Sequence, residues 1–160
     1  MSNTQNNQTE LKQKFWRNLS TSPFVFLQRN DDPHSAVPMT AQLDKEADGA
    51  IWFFTTKDSD LAKLGDVTAT FMAKGHDLFA RFEGRLQVET DQGKFEQFWN
   101  NFVKAWYDGG KEDPNLLFLR MDLGDAEIWN GDLSLATTAK MMLGKNVRED
   151  VQDKQLETTL

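Results

Sequence analysis

Two histidines, no cysteine and carboxylates scattered among turns leave this 160-residue sequence few ways to make or break a covalent bond with its own side chains. The lack of cysteine excludes thiolate nucleophiles, zinc–thiolate sites, iron–sulfur clusters and disulfides. His34 and His76 fall outside the HExxH and HxH spacings that would seat zinc, so they read as ordinary loop or strand-end residues and no metal site is expected. A glycine-rich dinucleotide fingerprint and a GxxxxGKS/T phosphate loop are both missing, which argues against nucleotide hydrolysis. No carboxylate pair supports glycosidase chemistry, and no catalytic residue can be named. What the chain has in excess is flat aromatic surface: twelve Phe, five Trp and one Tyr. Most of it is expected in the core, including Phe24, Phe26, Phe53, Phe71, Phe95 and Phe98. Trp106 and Trp129 differ. Each sits beside turn residues, in Ala105-Trp106-Tyr107-Asp108-Gly109-Gly110 and Glu127-Ile128-Trp129-Asn130-Gly131, where a part-exposed indole could stack on a planar ligand.

The elements that must hold these aromatics are mostly short strands. Leu11, Phe15, Trp16 and Leu19 recur at helical spacing, and Pro23 stops a helix near Ser20. Extended segments are expected at Phe24–Arg29, Ser35–Leu43, Ala50–Thr56, Val67–Lys74 and Leu78–Glu89, separated by turn clusters such as Asn30-Asp31-Asp32-Pro33 and Ala47-Asp48-Gly49. Connections this short imply antiparallel hairpins, because a parallel crossover needs about a dozen residues or more. Along Leu78–Glu89 the residues Leu78, Ala80, Phe82, Gly84, Leu86 and Val88 form one face, expected to be buried. Phe95, Phe98, Trp99, Phe102, Val103 and Trp106 fall on one stripe of a second helix, capped by Asp91 and stopped at Asp108-Gly109-Gly110, and this stripe is expected to be covered. Two last strands, Leu116–Met121 and Ala126–Trp129, are expected around a turn at Asp122-Leu123-Gly124-Asp125. The reading is a mainly β protein with helices, α+β in class, forming an antiparallel barrel or sandwich.

Length and charge set the remaining limits. One domain is expected over 11–143, with residues 1–10 as a flexible, frayed tail too polar to repay its ordering entropy and 144–160 as a polar tail, mobile or weakly helical. A net charge of −7 disfavours nucleic acid, which is bound mainly through Lys and Arg. No apolar run approaches the roughly 20 residues of a membrane helix, and the opening MSNTQNNQTE has neither the basic end nor the apolar stretch of a signal peptide, so a cytoplasmic, membrane-free protein is expected. A barrel this small with so many aromatics is expected to cover its surplus apolar surface by forming a homodimer.

From Lys14 to about Leu135 the order of elements resembles the general-stress-protein branch of the flavin-binding split barrels, the superfamily that includes pyridoxamine 5′-phosphate oxidase. The most specific stretch runs from Trp99 through Ala105-Trp106-Tyr107, Gly110 and Asp113-Pro114, with the spacing of the family's W-x5-A-W-F/Y-x2-G-x2-D-P segment. Ala126-Glu127-Ile128-Trp129 resembles its A-E-x-W element, and Ile51-Trp52-Phe53-Phe54-Thr55-Thr56 with Asp58-Ser59 resembles its cofactor strand and loop. The resemblance implies FMN, or else FAD or another flavin, at a dimer interface of a split β-barrel. It places Thr55, Thr56, Lys57 and Ser59 near the flavin phosphate, with Phe54 on the same strand. Hydroxyls, an ammonium and the N–H groups of a helix start are suitable donors there. Val37, Pro38, Met39 and Thr40 take the position of the strand that passes the flavin ring, Trp106 would stack beside it, and Trp129, carried in from the partner subunit, would help wall the site formed by Met39, Thr55 and Ser59 of the other chain.

The chain departs from the family pattern in three places. Val37 stands where an Arg commonly precedes Pro-Met, removing a bidentate phosphate contact. Asp58 and Asp60 flank Ser59 with negative charge. After Trp129 the sequence continues Asn130-Gly131-Asp132-Leu133-Ser134-Leu135 in place of the oxidase's Arg-Leu-His-x-Arg segment, so pyridoxamine phosphate oxidase activity itself is not expected. The expected function is a flavin-binding, general-stress-type oxidoreductase of unspecified substrate. The alternatives are a non-catalytic flavin- or haem-binding protein and an interaction protein on the same fold.

Overall fold

The computed structural model describes residues 2–46, 49–131, 135–148 and 155–160. Strand β1 (Phe24–Arg29) pairs with β2 (Asp32–Thr40) and β4 (Gly65–Met72), β4 with β5 (Leu78–Val88), β5 with β6 (Leu116–Asn130), and β6 with β3 (Ala50–Thr56), all antiparallel. The sheet order is therefore β2-β1-β4-β5-β6-β3, and its two ends meet through one bridge, Gln42 with Trp52. That bridge curls the sheet into a split barrel. The turn expected at Ala47-Asp48-Gly49 lies largely outside the described residues.

Helix α1 (Ser2–Thr21) plugs the barrel with Phe15 and Leu19, both fully buried among Val25, Leu27, Phe53, Phe71 and Phe82. Phe15 meets Trp16, Phe71 and Phe82 edge-on, with centroids 5.2, 6.0 and 5.5 Å apart. The helix starts at Ser2 and takes in the segment expected to be a frayed tail, because no Gly or Pro interrupts it before Pro23 and its polar first turns simply extend an anchored segment.

Further expectations are corrected. The strand expected to end at Met121 and the one expected to begin at Ala126 are a single 15-residue strand, β6. Asp122 to Asp125 form a bend, with Leu123 N–H bonded to Gly49 and the β5–β6 register shifting between Phe82 and Gly84. Gly84 is needed there because a Cβ would lie 2.5 Å from the Asp122 carbonyl oxygen. The polar end of the chain, read as a tail, supplies strand β7 (Gln155–Thr159), which pairs with β6 and buries Leu156 opposite Ile128. Between them, helix α4 spans Leu135–Met142.

The aromatic stripe of the second helix is also interrupted. Helix α2 (Gln92–Phe98) ends where Trp99 turns extended, and Asn100 restarts the chain by accepting from Val103 N–H at 3.0 Å, capping α3 (Asn101–Lys104). Phe98 and Val103 are buried, but Phe102 is 86% and Trp106 85% exposed in the single chain. Phe24 and Phe26, expected in the core, point outward at 63% and 56% exposure, and Val88 is exposed as well. No helix among the described residues is long and apolar enough to cross a membrane.

Candidate functional site

Beyond the Gln42–Trp52 bridge, β2 and β3 diverge, and no further backbone hydrogen bond joins them among the described residues. Trp52 exchanges both its hydrogen bonds with Gln42, at 2.8 and 3.0 Å, whereas Ala41 N–H donates back to Pro23 on the β1 side at 2.7 Å. Alternation along an extended strand then aims the N–H and C=O of Phe54, the N–H of Thr56, the N–H and C=O of Thr40 and the C=O of Pro38 into the gap. The Thr56 C=O is taken by Ser59 N–H at 3.1 Å. The result is a slot edged by backbone donors and acceptors, suited to the edge of a flat, hydrogen-bonding ring.

The slot brings together most of the residues singled out in the sequence. Val37 and Met39 alternate with Pro38 and Thr40 on β2; Met39 packs partly buried against the main core, while Val37, Pro38 and Thr40 are exposed. Phe54 backs the slot, stacked on Phe118 at 4.6 Å and edge-on to Phe95 and Trp99 at 5.8 and 5.9 Å. Its ring is thus fixed in an aromatic wall. At the end of β3, Lys57 is exposed with no carboxylate partner among the described residues. The Thr56 hydroxyl beside Asp58 holds that carboxyl below its usual range. Ser59 accepts from Leu61 N–H at 3.2 Å, capping the single 3-10 turn Asp60–Lys63 and leaving its own hydrogen free to donate. Asp60 is paired with Lys63 at 3.7 Å, so half of the acidic flank is neutralised locally.

Tyr107, named in the sequence only as part of the family segment, adjoins the candidate site. Its hydroxyl donates to the Thr55 carbonyl at 2.7 Å, tying the segment that carries Trp106 to the slot's β3 side. Burial, with Asp113 nearby, pushes its hydroxyl up to about 12. As the chain has one tyrosine, absorbance at 295 nm should stay flat through pH 10, where a free phenol is half ionised, and rise only near pH 12. Because the folded-state value is raised, the associated stability is fully present below pH 10 and is lost as the pH climbs through that window. A midpoint near 10 in folded protein would show that the Tyr107 hydroxyl is not buried.

Trp129 lies elsewhere. Thr55 pairs with Leu117 near the start of β6, and Trp129 is roughly 40 Å of extended strand further on. It stands on the outward face, paired with Phe79 and with the Arg81 guanidinium 5.8 Å from its ring centroid. One chain does not bring Trp129 to Thr55 or Ser59.

An antiparallel sheet curled into a split barrel, plugged by a helix and opened between two strands, defines the class. The chain belongs to the pyridoxamine 5′-phosphate oxidase-like family, whose model matches residues 10–153. Among solved structures it is similar to a general stress family protein of Xanthomonas campestris pv. campestris, at 43% identity and TM-score 0.68 over 79% of this chain and 92% of that one. It is likewise similar to the general stress FMN/FAD binding protein of Xanthomonas citri, at 43% identity and TM-score 0.71 over 79% and 93%. General stress protein 26 of Jannaschia sp. CCS1 aligns at 28% identity and TM-score 0.75 over 96% and 99%. No curated protein matches.

Proposed function

We propose that this chain is a cytoplasmic, flavin-dependent oxidoreductase of the general-stress type, working as a homodimer that holds FMN, or else FAD or another flavin, in the slot between β2 and β3. The observation that carries this reading is the set of backbone donors and acceptors of Pro38, Thr40, Phe54 and Thr56 facing each other across the slot. They suit the polar edge of an isoalloxazine ring, and Lys57, Thr55 and Ser59 at the end of β3 offer a cation and hydroxyls to a phosphate. The Xanthomonas citri relative, named as an FMN/FAD binding protein at 43% identity, supports it. A bound flavin would supply electron-transfer chemistry, while these residues bind, orient and shield it. Trp129, too far away within one chain, is assigned to the slot of the second copy. Pyridoxamine phosphate oxidation is not proposed; of the segment that replaces the oxidase motif, residues 132–134 lie outside the described part.

The test begins with the visible spectrum of freshly purified protein and a titration with FMN. Yellow protein or saturable uptake of one FMN per chain is expected, and colourless protein that ignores flavin overturns the reading. Trp129→Leu keeps apolar bulk but loses the ring, so FMN affinity should fall by about 0.5–1.5 kcal/mol with the dimer intact. Reduction of bound flavin by a nicotinamide nucleotide separates an oxidoreductase from a non-catalytic flavin- or haem-binding or interaction protein. Val37, in place of an arginine, favours that second reading.

A further inference from the structure

On the other side of the Gln42–Trp52 bridge from the slot lies a half-open cleft of about 440 Å3, within the range of small-molecule sites. One wall is α1, which presents Gln13, Trp16, Arg17 and Ser20 at helical spacing. The other is the chain from Leu43 to Lys45 together with Ala50. Trp16 and Leu43 are partly buried and packed against the main core, so the apolar floor cannot fold in on itself. Asp44 is satisfied by its ion pair with Lys94, a contact that also holds its carboxyl below the usual range. Arg17 and Lys45 are exposed at the rim and belong to no ion pair among the described residues. On a chain of net charge −7, two uncompensated cations over one apolar floor are a local reversal of sign.

We propose that this cleft is a second small-molecule site, for a compound with an apolar ring body and one anionic group such as a carboxylate or sulfonate. The body would lie on Trp16, Leu43 and Ala50, with the anion between the Arg17 guanidinium, which can bind it bidentately, and the Lys45 ammonium. Gln13 and Ser20 supply neutral hydrogen-bonding groups beside it. An apolar side chain from a second copy, such as Phe102 or Trp106, would cover the floor but leave both cations unpaired, so a free small anion is the better match. The bridge stands between cleft and slot, and the two share no lining residue.

The probe is 8-anilinonaphthalene-1-sulfonate, with the uncharged N-phenyl-1-naphthylamine as its control, titrated into the full chain with and without excess FMN. One sulfonate site per chain, undiminished by FMN, is expected. Arg17→Glu with Lys45→Glu should weaken the sulfonate by about tenfold or more and leave the uncharged probe within about twofold, since both side chains are exposed and unpaired. Circular dichroism of the double variant, expected to be unchanged, keeps misfolding apart from lost binding. Displacement by FMN would place the probe in the slot and overturn the proposal. It is equally overturned by sulfonate affinity unchanged in the double variant, or by no binding at all, as when a second copy covers the cleft.

Discussion

Replacing Phe15 with alanine should lower the unfolding free energy by about 3–5 kcal/mol, the range for removing a buried phenyl ring. Phe15 is fully buried where α1 enters the barrel, and its ring meets three other aromatics edge-on at 5.2–6.0 Å. Deletion forfeits these contacts and leaves a cavity lined by Phe71 and Phe82, which belong to the paired strands β4 and β5 and cannot close over it. The measurement is the denaturant midpoint of wild type and variant followed by circular dichroism. A loss under about 1 kcal/mol would mean that α1 is not the plug of the barrel. Phe15→Leu, which keeps most of the volume, should recover a large part of the deficit.

The second large effect is expected at the outward sheet face. Phe24 and Phe26 project there from β1, Phe26 lies opposite Thr70, Met72 lies opposite Phe79, and Phe79 lies opposite Trp129. The register thus lays exposed apolar side chains across β1, β4, β5 and β6 on the same face as the indole assigned to the partner's slot. Changing Phe24 and Phe26 together to Asp should weaken the proposed dimer by about three to five orders of magnitude. Central aromatic anchors of an interface are worth at least about 2 kcal/mol each, and an unpaired carboxylate in their place adds a desolvation cost. Light scattering at micromolar concentration should then report a monomer with unchanged circular dichroism. FMN binding should weaken with it, because Trp129 would no longer reach the other copy. A variant that remains dimeric would move the interface to the exposed Phe102 and Trp106 of the α3 segment.

The sequence reading succeeds where one local signal has one structural meaning. Strands Phe24–Arg29 and Ala50–Thr56 lie where alternation and flanking turns put them; short connections gave an antiparallel barrel or sandwich, and the family resemblance chose the split barrel. It fails where the deciding contact is distant. Asp122-Leu123-Gly124-Asp125 has the composition of a turn, but bonds to Gly49 and Leu160 and the close approach to Gly84 hold it as a bend inside β6. Gln155–Thr159 carries one buried apolar residue, too little to mark a strand without knowing that β6 offers a free edge opposite it. The Phe95–Trp106 stripe has perfect helical period, yet Asn100 is a better cap than interior residue, and Trp99 meets Phe54 where the chain leaves the helix. Residue types and family spacing pointed to segments that the structure places on the two strands bordering the proposed slot. Which backbone groups face it depends on strand parity, set by the Gln42–Trp52 pair that no sequence pattern announces.

That single pair also sets the dynamics of the barrel. Every other neighbouring pair in the β2-β1-β4-β5-β6-β3 order is joined by a ladder, whereas the join between its ends rests on two hydrogen bonds. Local opening free energies follow how many such bonds must break together, so the seam should breathe long before the β4–β5–β6 ladders loosen. The amides of Gln42 and Trp52 would then exchange with solvent deuterons through a cheap excursion, while those of Ala69 or Ala80 would wait for global unfolding. A barrel latched this way can part its edges around a flat guest and close again without disturbing the core that carries its stability.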